Sequence, residues 1–135
     1  MKNNLLSLAA LVLISAAFTS CKKDPTLKDQ LVGNWLSVQV TAGSEDLTAA
    51  NSFDLRLQDS KEFDLDLTTV APLVGTITQS YSGDWSTDET KQEVTLVYNG
   101  TGETKTWDII EITDTTLTAE LVENNIRYTV KFQKQ

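Results

Sequence analysis

Phe53-Asp54-Leu55-Arg56-Leu57-Gln58-Asp59-Ser60-Lys61-Glu62-Phe63-Asp64-Leu65-Asp66-Leu67-Thr68 is the stretch that decides the fold. Phe53, Leu55 and Leu57 alternate with Asp54, Arg56 and Gln58. Phe63, Leu65 and Leu67 alternate with Glu62, Asp64, Asp66 and Thr68. A period of two marks strands with one buried face and one wet face. A slip of one residue would turn every apolar side chain outward, so only a register that keeps both sets on one face is acceptable. The three-residue loop Asp59-Ser60-Lys61 supplies that register. It sets Leu57 beside Phe63, Leu55 beside Leu65 and Phe53 beside Leu67. On the wet face Arg56 meets Asp64, a cross-strand pair worth about 0.2–1 kcal/mol.

The same pattern extends in both directions. Toward the C-terminus, Leu117, Ala119 and Leu121 are followed by Ile126, Tyr128, Val130 and Phe132, with Asn124-Asn125 between the runs. Asparagine tolerates positive φ, so the pair suits a two-residue type I′ turn. That turn pairs Leu121 with Tyr128, Ala119 with Val130 and Leu117 with Phe132. Between the two hairpins, residues 70–74 are apolar but contain Pro72, which predicts a loop rather than a central strand. A longer, bent strand follows over about residues 76–86, with Gly83 as a candidate bulge. Residues 88–91 turn the chain, and Val94, Leu96 and Tyr98 form the next inward set. Asn99-Gly100-Thr101-Gly102 is a turn. Trp107 and Ile109 begin another strand, whose facing is ambiguous because Ile110 and Ile112 are also apolar; a bulge there would reconcile them. Toward the N-terminus, residues 35–41 form the first strand, and Thr26 caps one helical turn that ends at Leu31.

The sum is eight strands joined mostly by short loops. Short connections favour antiparallel neighbours, and a sheet of this size removes its exposed edges by closing on itself. The expected fold is all-β, an eight-stranded antiparallel up-and-down barrel, with an open sandwich as the alternative.

Ahead of the barrel, residues 5–18 are apolar and uncharged, preceded by Lys2 and followed by Thr19-Ser20-Cys21. The run is shorter than the roughly 20 residues a transmembrane helix needs. It fits the apolar region of a secretory signal, about 7–15 residues long. Small residues followed by the chain's only cysteine resemble the bacterial lipoprotein signal, in which cleavage leaves the cysteine first and its thiol receives a diacylglycerol. Phe18 stands where that family more often has leucine. The resemblance implies a signal peptide over residues 1–20, a lipidated Cys21 with a tether over residues 21–30, and a barrel domain over residues 31–135. Each buried lipid CH₂ contributes about 0.8 kcal/mol, and stable attachment takes two chains or signals, which a diacyl group meets by itself. The partner implied is a membrane, and the location an outer-membrane lipoprotein of the bacterial cell envelope. Lys22-Lys23-Asp24 loosely resembles the charged surface-export signals of Bacteroidetes lipoproteins.

The order of motifs within the barrel resembles lipocalins. Leu31-Val32-Gly33-Asn34-Trp35 is similar to the Gly-x-Trp motif that opens their first strand. Ile112-Thr113-Asp114-Thr115 is similar to their Thr-Asp-Tyr motif, with Thr115 in place of tyrosine. Lipocalins also carry an arginine near the end of the last strand, over the tryptophan. Here Arg127 comes too early, and Lys131 or Lys134 would have to cover Trp35 through a cation–π contact. The spacing is similar to that of small lipocalin-like lipoproteins of Bacteroidetes. The resemblance implies a closed end built on Gly33, Trp35, Thr113, Asp114 and Lys131. It also implies an open end built from residues 41–52, 70–75, 99–103 and 123–125.

The available chemistry is narrow. Without its signal the chain carries 19 acidic and 10 basic side chains, a net charge of −9, which repels nucleic acid. There is no histidine and the single cysteine is consumed by lipid, so neither a nucleophilic triad nor a zinc site can be built. Asp64 and Asp66 share a strand face that points to solvent and do not face each other across a cleft, as glycoside hydrolysis requires. Calcium at those residues, or at Glu45-Asp46, lacks the converging oxygens it needs. No catalytic role, cofactor or metal is expected.

Two readings stand side by side. In the first, the barrel carries a small hydrophobic molecule. Its pocket is lined by Leu55, Leu65, Leu67, Leu96, Tyr98, Trp107 and Tyr128, with Val70, Leu73 and Val74 at the mouth. In the second, bulky side chains such as Phe63, Trp107 and Phe132 fill the interior. The protein then binds a protein or glycan at the surface through loops such as Gly43-Ser44-Glu45-Asp46.

Overall fold

The computed structural model describes residues 23–135. Its elements are α1 (Leu27–Leu31), β1 (Gly33–Ala42), β2 (Glu45–Asp46), β3 (Asn51–Leu57), β4 (Glu62–Ala71), β5 (Gly75–Asp88), β6 (Glu93–Tyr98), β7 (Thr104–Ile112), β8 (Thr116–Glu123) and β9 (Ile126–Lys134). Every sequential neighbour from β3 to β9 pairs antiparallel, β1 pairs with β3, and β1 also pairs with β9, which closes the sheet. The result is an eight-stranded up-and-down barrel of β1 and β3–β9. The two-residue β2 hangs from the end of β1.

Both hairpins take the register that parity demands. Leu57 pairs with Phe63, Leu55 with Leu65 and Phe53 with Leu67. Lys61 sits at φ 73, which closes the three-residue loop. Leu121 pairs with Tyr128, Ala119 with Val130 and Leu117 with Phe132. Asn124 and Asn125 have φ of 50 and 63, the two positive values a type I′ turn requires. Ile126 ends outside the barrel, because the inward set of β9 begins only at Tyr128. Arg56 lies opposite Asp64 but donates to Asp66 at 3.3 Å, along the diagonal, while Gln58 takes Asp64.

Three expectations need correction. Val70 is in strand rather than loop, because Pro72 falls in the turn itself and interrupts no ladder bond; β4 runs to Ala71 and pairs with β5 down to Gly75. Gly83 makes no bulge. Its pairing is unbroken to Phe63 on one side and Tyr98 on the other. Its missing side chain instead lets the β6 backbone approach, since a Cβ there would collide with the Val97 carbonyl and with Phe63. The boundary expected at residue 31 also falls inside the packed unit, because Leu27 and Leu31 are both buried in the core. The ambiguity in β7 resolves as a bulge: the register shifts between Ile109 and Glu111, leaving Ile109 buried and Ile110 exposed. A second bulge, between Ser37 and Gln39, turns Val38 outward.

The core fills one half of the cylinder. Thr26 and Asp29 form a reciprocal capping box that fixes the start of the one-turn helix α1, and buried Leu27 and Leu31 seat that helix against the end of the barrel. There the Leu27 amide donates to Glu89 at 2.7 Å and Lys28 pairs with Asp59 at 2.9 Å. These anchors lie in the β5–β6 and β3–β4 loops, so α1 plugs that end. Trp35 is wholly buried and donates its indole N–H to the Leu31 carbonyl at 2.7 Å. Trp85 does the same to Gln58 at 2.9 Å.

Candidate functional site

The closed end is a structural device. Lys134 lies over the Trp35 ring with Nζ 5.1 Å from its centroid. Lys131, which was expected to share this place, pairs instead with Gln39 and Thr118 and faces solvent. Register explains the difference, since Lys134 is the residue directly opposite Trp35 across the β1–β9 seam. Gly33, at φ 143, leaves room for the Lys134 stem, because a Cβ there would stand 2.5 Å from Lys134 Cε. Thr113 organises the β7–β8 turn by accepting from the amides of Thr115 and Thr116. Asp114 is an exposed residue of that turn.

At the opposite end the barrel is hollow. A cavity of about 580 Å³ opens between the ends of β4, β5, β6–β7 and β8–β9. Its wall includes Val40, Phe53, Leu65, Leu67, Tyr81, Tyr98, Trp107, Leu121 and Tyr128. Polar side chains stand among them: Asn51, Gln79, Asn99, Glu103, Lys105, Glu123 and Asn124. Phe53 and Phe132 pack on Trp107, edge-on at 6.1 Å and stacked at 6.0 Å respectively, while Tyr81 and Phe63 flank Tyr98. Among the described residues, the Trp107 indole N–H is the one buried side-chain polar atom without a partner. An unmet donor of that kind costs about 1–3 kcal/mol.

Of the residues expected to line a pocket, Leu65, Leu67, Tyr98, Trp107 and Tyr128 are brought together in the cavity wall. Leu55 and Leu96 are buried in the packed core and do not reach it. Val70, Leu73 and Val74 project on the β4–β5 hairpin, away from the cavity and exposed. The residues that sequence reasoning missed are mainly the polar ones. Their signal was parity: Glu103, Lys105 and Trp107 share a face, as do Leu121 and Glu123.

Lys105 stands between two carboxylates, 2.6 Å from Glu123 and 3.6 Å from Glu103. Burial pulls its ammonium down, but the hydrogen bonds and attraction of Glu123 and Glu103 outweigh that and hold its pKa above the ordinary lysine value. Burial pushes the Tyr98 phenol up to about 12, with Glu123, Tyr81 and Glu103 adding to the effect. Tyr98 therefore stays a neutral hydrogen-bonding group at any physiological pH. Asp64 and Asp66 sit on the outer surface with Gln58 and Arg56. No group of histidine, cysteine and carboxylate side chains able to hold a metal occurs among the described residues. Cys21 lies outside them.

No family model and no curated protein matches this sequence. Solved structures do. The bovine lipocalin allergen Bos d 2 superimposes with a TM-score of 0.54 at 12% identity, covering 80% of this chain and 75% of its own. A siderocalin, Ex-FABP, described as functioning through dual ligand specificities, matches at 10% identity over 78% of this chain and 74% of its own, with a TM-score of 0.37. At such identity the Bos d 2 match speaks to the fold alone: the barrel has the lipocalin architecture.

Proposed function

We propose that this chain is a non-enzymatic carrier, a lipocalin-like lipoprotein that holds a small, largely apolar molecule in the open half of its barrel. The observation that carries the reading is the cavity itself: about 580 Å³, walled by aromatic and aliphatic side chains together with polar ones, and sealed at one end. That volume lies in the range of small-molecule sites. The lipocalin architecture suits it, because eight strands leave space for one small ligand. The test is direct. Residues 22–135 are purified and examined for co-purified lipid by mass spectrometry, then titrated with a fluorescent apolar probe. An empty barrel that ignores the probe would sink the reading.

Anchoring belongs to the same proposal. It is supported by the apolar, uncharged run ahead of the only cysteine, Cys21, and by the small residues before it. Residues 22–25 reach at most about 14 Å when extended. Because they lead into α1 at the plugged end, a lipid on Cys21 would hold that end toward an outer-membrane leaflet and turn the mouth away from it. Substituting Cys21→Ala should release the protein from the membrane fraction; a variant that still sediments with membranes contradicts the anchor.

One feature favours the second reading, a surface interaction module. Residues 67–83 contain no charge in a chain that is 22% charged. They form a hairpin whose tip exposes Leu73 and Val74, and β5 is unpaired on its far side until Gly83 meets Tyr98. Uncharged free edges invite strand pairing. If the hairpin serves a partner, replacing Leu73-Val74 by Asn-Gly would abolish association while leaving probe binding intact; unchanged association on a native gel dismisses the role.

A further inference from the structure

The cavity's charges discriminate between ligands, and the following rests on the carrier reading above. The segments that rim the mouth, residues 43–50, 99–103 and 123–125, contain four carboxylates, Glu45, Asp46, Glu103 and Glu123, and neither lysine nor arginine. Among the described residues, Lys105 is the one cation in the cavity wall, and Glu123 and Glu103 already hold it, at 2.6 and 3.6 Å. A carboxylate head entering the mouth would have to displace Glu123 from Lys105. It would then remain beside two anions in a partly desolvated site, where like charges repel strongly. An ammonium head meets the opposite situation, two carboxylates that share a single cation. The negative rim draws it in, because clefts walled by protein focus the field of charges of one sign. Deeper in, Phe53, Tyr81, Tyr98, Trp107 and Tyr128 offer aromatic surface to a tail and ring faces to a cation near the head.

We infer that the cavity selects amphiphiles with a cationic amine head and rejects fatty acids with the same tail. The selecting groups are Glu103 and Glu123, and Lys105 offsets only one of them.

The experiment compares three ligands with one tail, dodecylamine, dodecanol and dodecanoic acid. They are titrated calorimetrically at pH 7, below their aggregation limits, into residues 22–135. The amine should bind tighter than the acid by about tenfold or more, with the alcohol between them. The double variant E103Q/E123Q leaves Lys105 unopposed and should reverse the order of amine and acid. Far-UV circular dichroism and cooperative thermal unfolding of that variant show that the barrel is still folded, and the amine-to-acid ratio of affinities is the readout. Should the double variant fail to fold, Lys105→Gln is the second variant, and it should tighten the amine and weaken the acid. Acid binding as tight as amine in the native chain, or an order indifferent to these substitutions, overturns the inference. Dodecanol bound without amine preference overturns it and leaves the carrier intact; failure of all three ligands overturns both.

Discussion

Gly83 is where the barrel is least tolerant of change. It lies in the middle of β5, paired to Phe63 on β4 and to Tyr98 on β6. A Cβ built on it would stand 2.9 Å from Phe63 Cε1 and 2.9 Å from the Val97 carbonyl carbon, and closer still to the Val97 oxygen. Carbon atoms rest at about 3.5–4.0 Å, so something must move by more than half an ångström. The obstacle is mainly backbone, which no rotamer change relieves. Gly83→Ala therefore has to push β6 away from β5. That loosens the pairs Gly83–Tyr98 and Asp84–Val97, and the bond from the Asn99 amide to the Ser82 carbonyl at 2.9 Å. Two or three such bonds at about 1 kcal/mol each, with a disturbed edge contact between Phe63 and Tyr98 at about 0.5–1.5 kcal/mol, amount to about 3–4 kcal/mol. For a domain of this size that is a fall in melting temperature of the order of 12 °C. Urea unfolding of residues 22–135 followed by tryptophan fluorescence measures it. The control is Gly43→Ala, where φ is +59 and nothing lies within 4 Å of the added Cβ, so only the backbone preference of about 1–2 kcal/mol is lost. Equal losses in the two variants, or a loss below about 1 kcal/mol at Gly83, would refute the argument from close approach.

Other expected outcomes test other parts of the fold. Trp35→Ala empties the plug and strands the Leu31 carbonyl, so it should cost about 3–5 kcal/mol by urea unfolding. Lys134→Gln removes only the cation over the ring and should cost about 0.5–1 kcal/mol. Leu73 is a fully exposed leucine at φ 72, so Leu73→Asn should raise the melting temperature slightly, by the equivalent of about 0.5–1 kcal/mol. The Tyr98 phenol is held at about 12 against an ordinary 10, so the folded state retains its proton more strongly than the unfolded chain. The stabilisation is complete below pH 10 and disappears as the pH rises through about 12. Alkaline titration of tyrosinate absorbance should show one late phenol, and stability falling across that window.

Strand identity and pairing were legible because parity constrains them twice over. In the Leu57–Phe63 hairpin the loop length and the apolar faces had to agree, and only one register satisfies both. The same holds around Asn124-Asn125. Legibility failed where a single residue serves geometry instead of pattern. Pro72 reads as a strand breaker, yet at the tip of a hairpin it breaks nothing. Gly83 reads as a bulge because a strand glycine is either that or a point of close approach, and sequence does not choose between the two. Lys131 and Lys134 both lie near the end of β9; Lys134 shares the parity of the buried Val130 and Phe132, and the closing pairing with β1 sets it opposite Trp35.

Composition does not distinguish a filled interior from a hollow one, because it averages over the whole barrel. Bulky inward side chains are not spread evenly along the axis. Trp35, Leu57, Phe63, Trp85, Val94 and Leu117 crowd the half that α1 seals, and they are all buried. In the other half the inward positions pass to Asn51, Gln79, Lys105 and Glu123. Polar side chains cannot be packed into a dry core without satisfying every donor and acceptor, so that half stays open to water or to a ligand that answers them. The cavity is thus the consequence of where the inward alternation changes from apolar to polar along each strand. Moving that boundary should move the cavity floor: Lys105→Leu with Glu123→Leu would extend the apolar core toward the mouth, and the volume available to a probe should shrink with it.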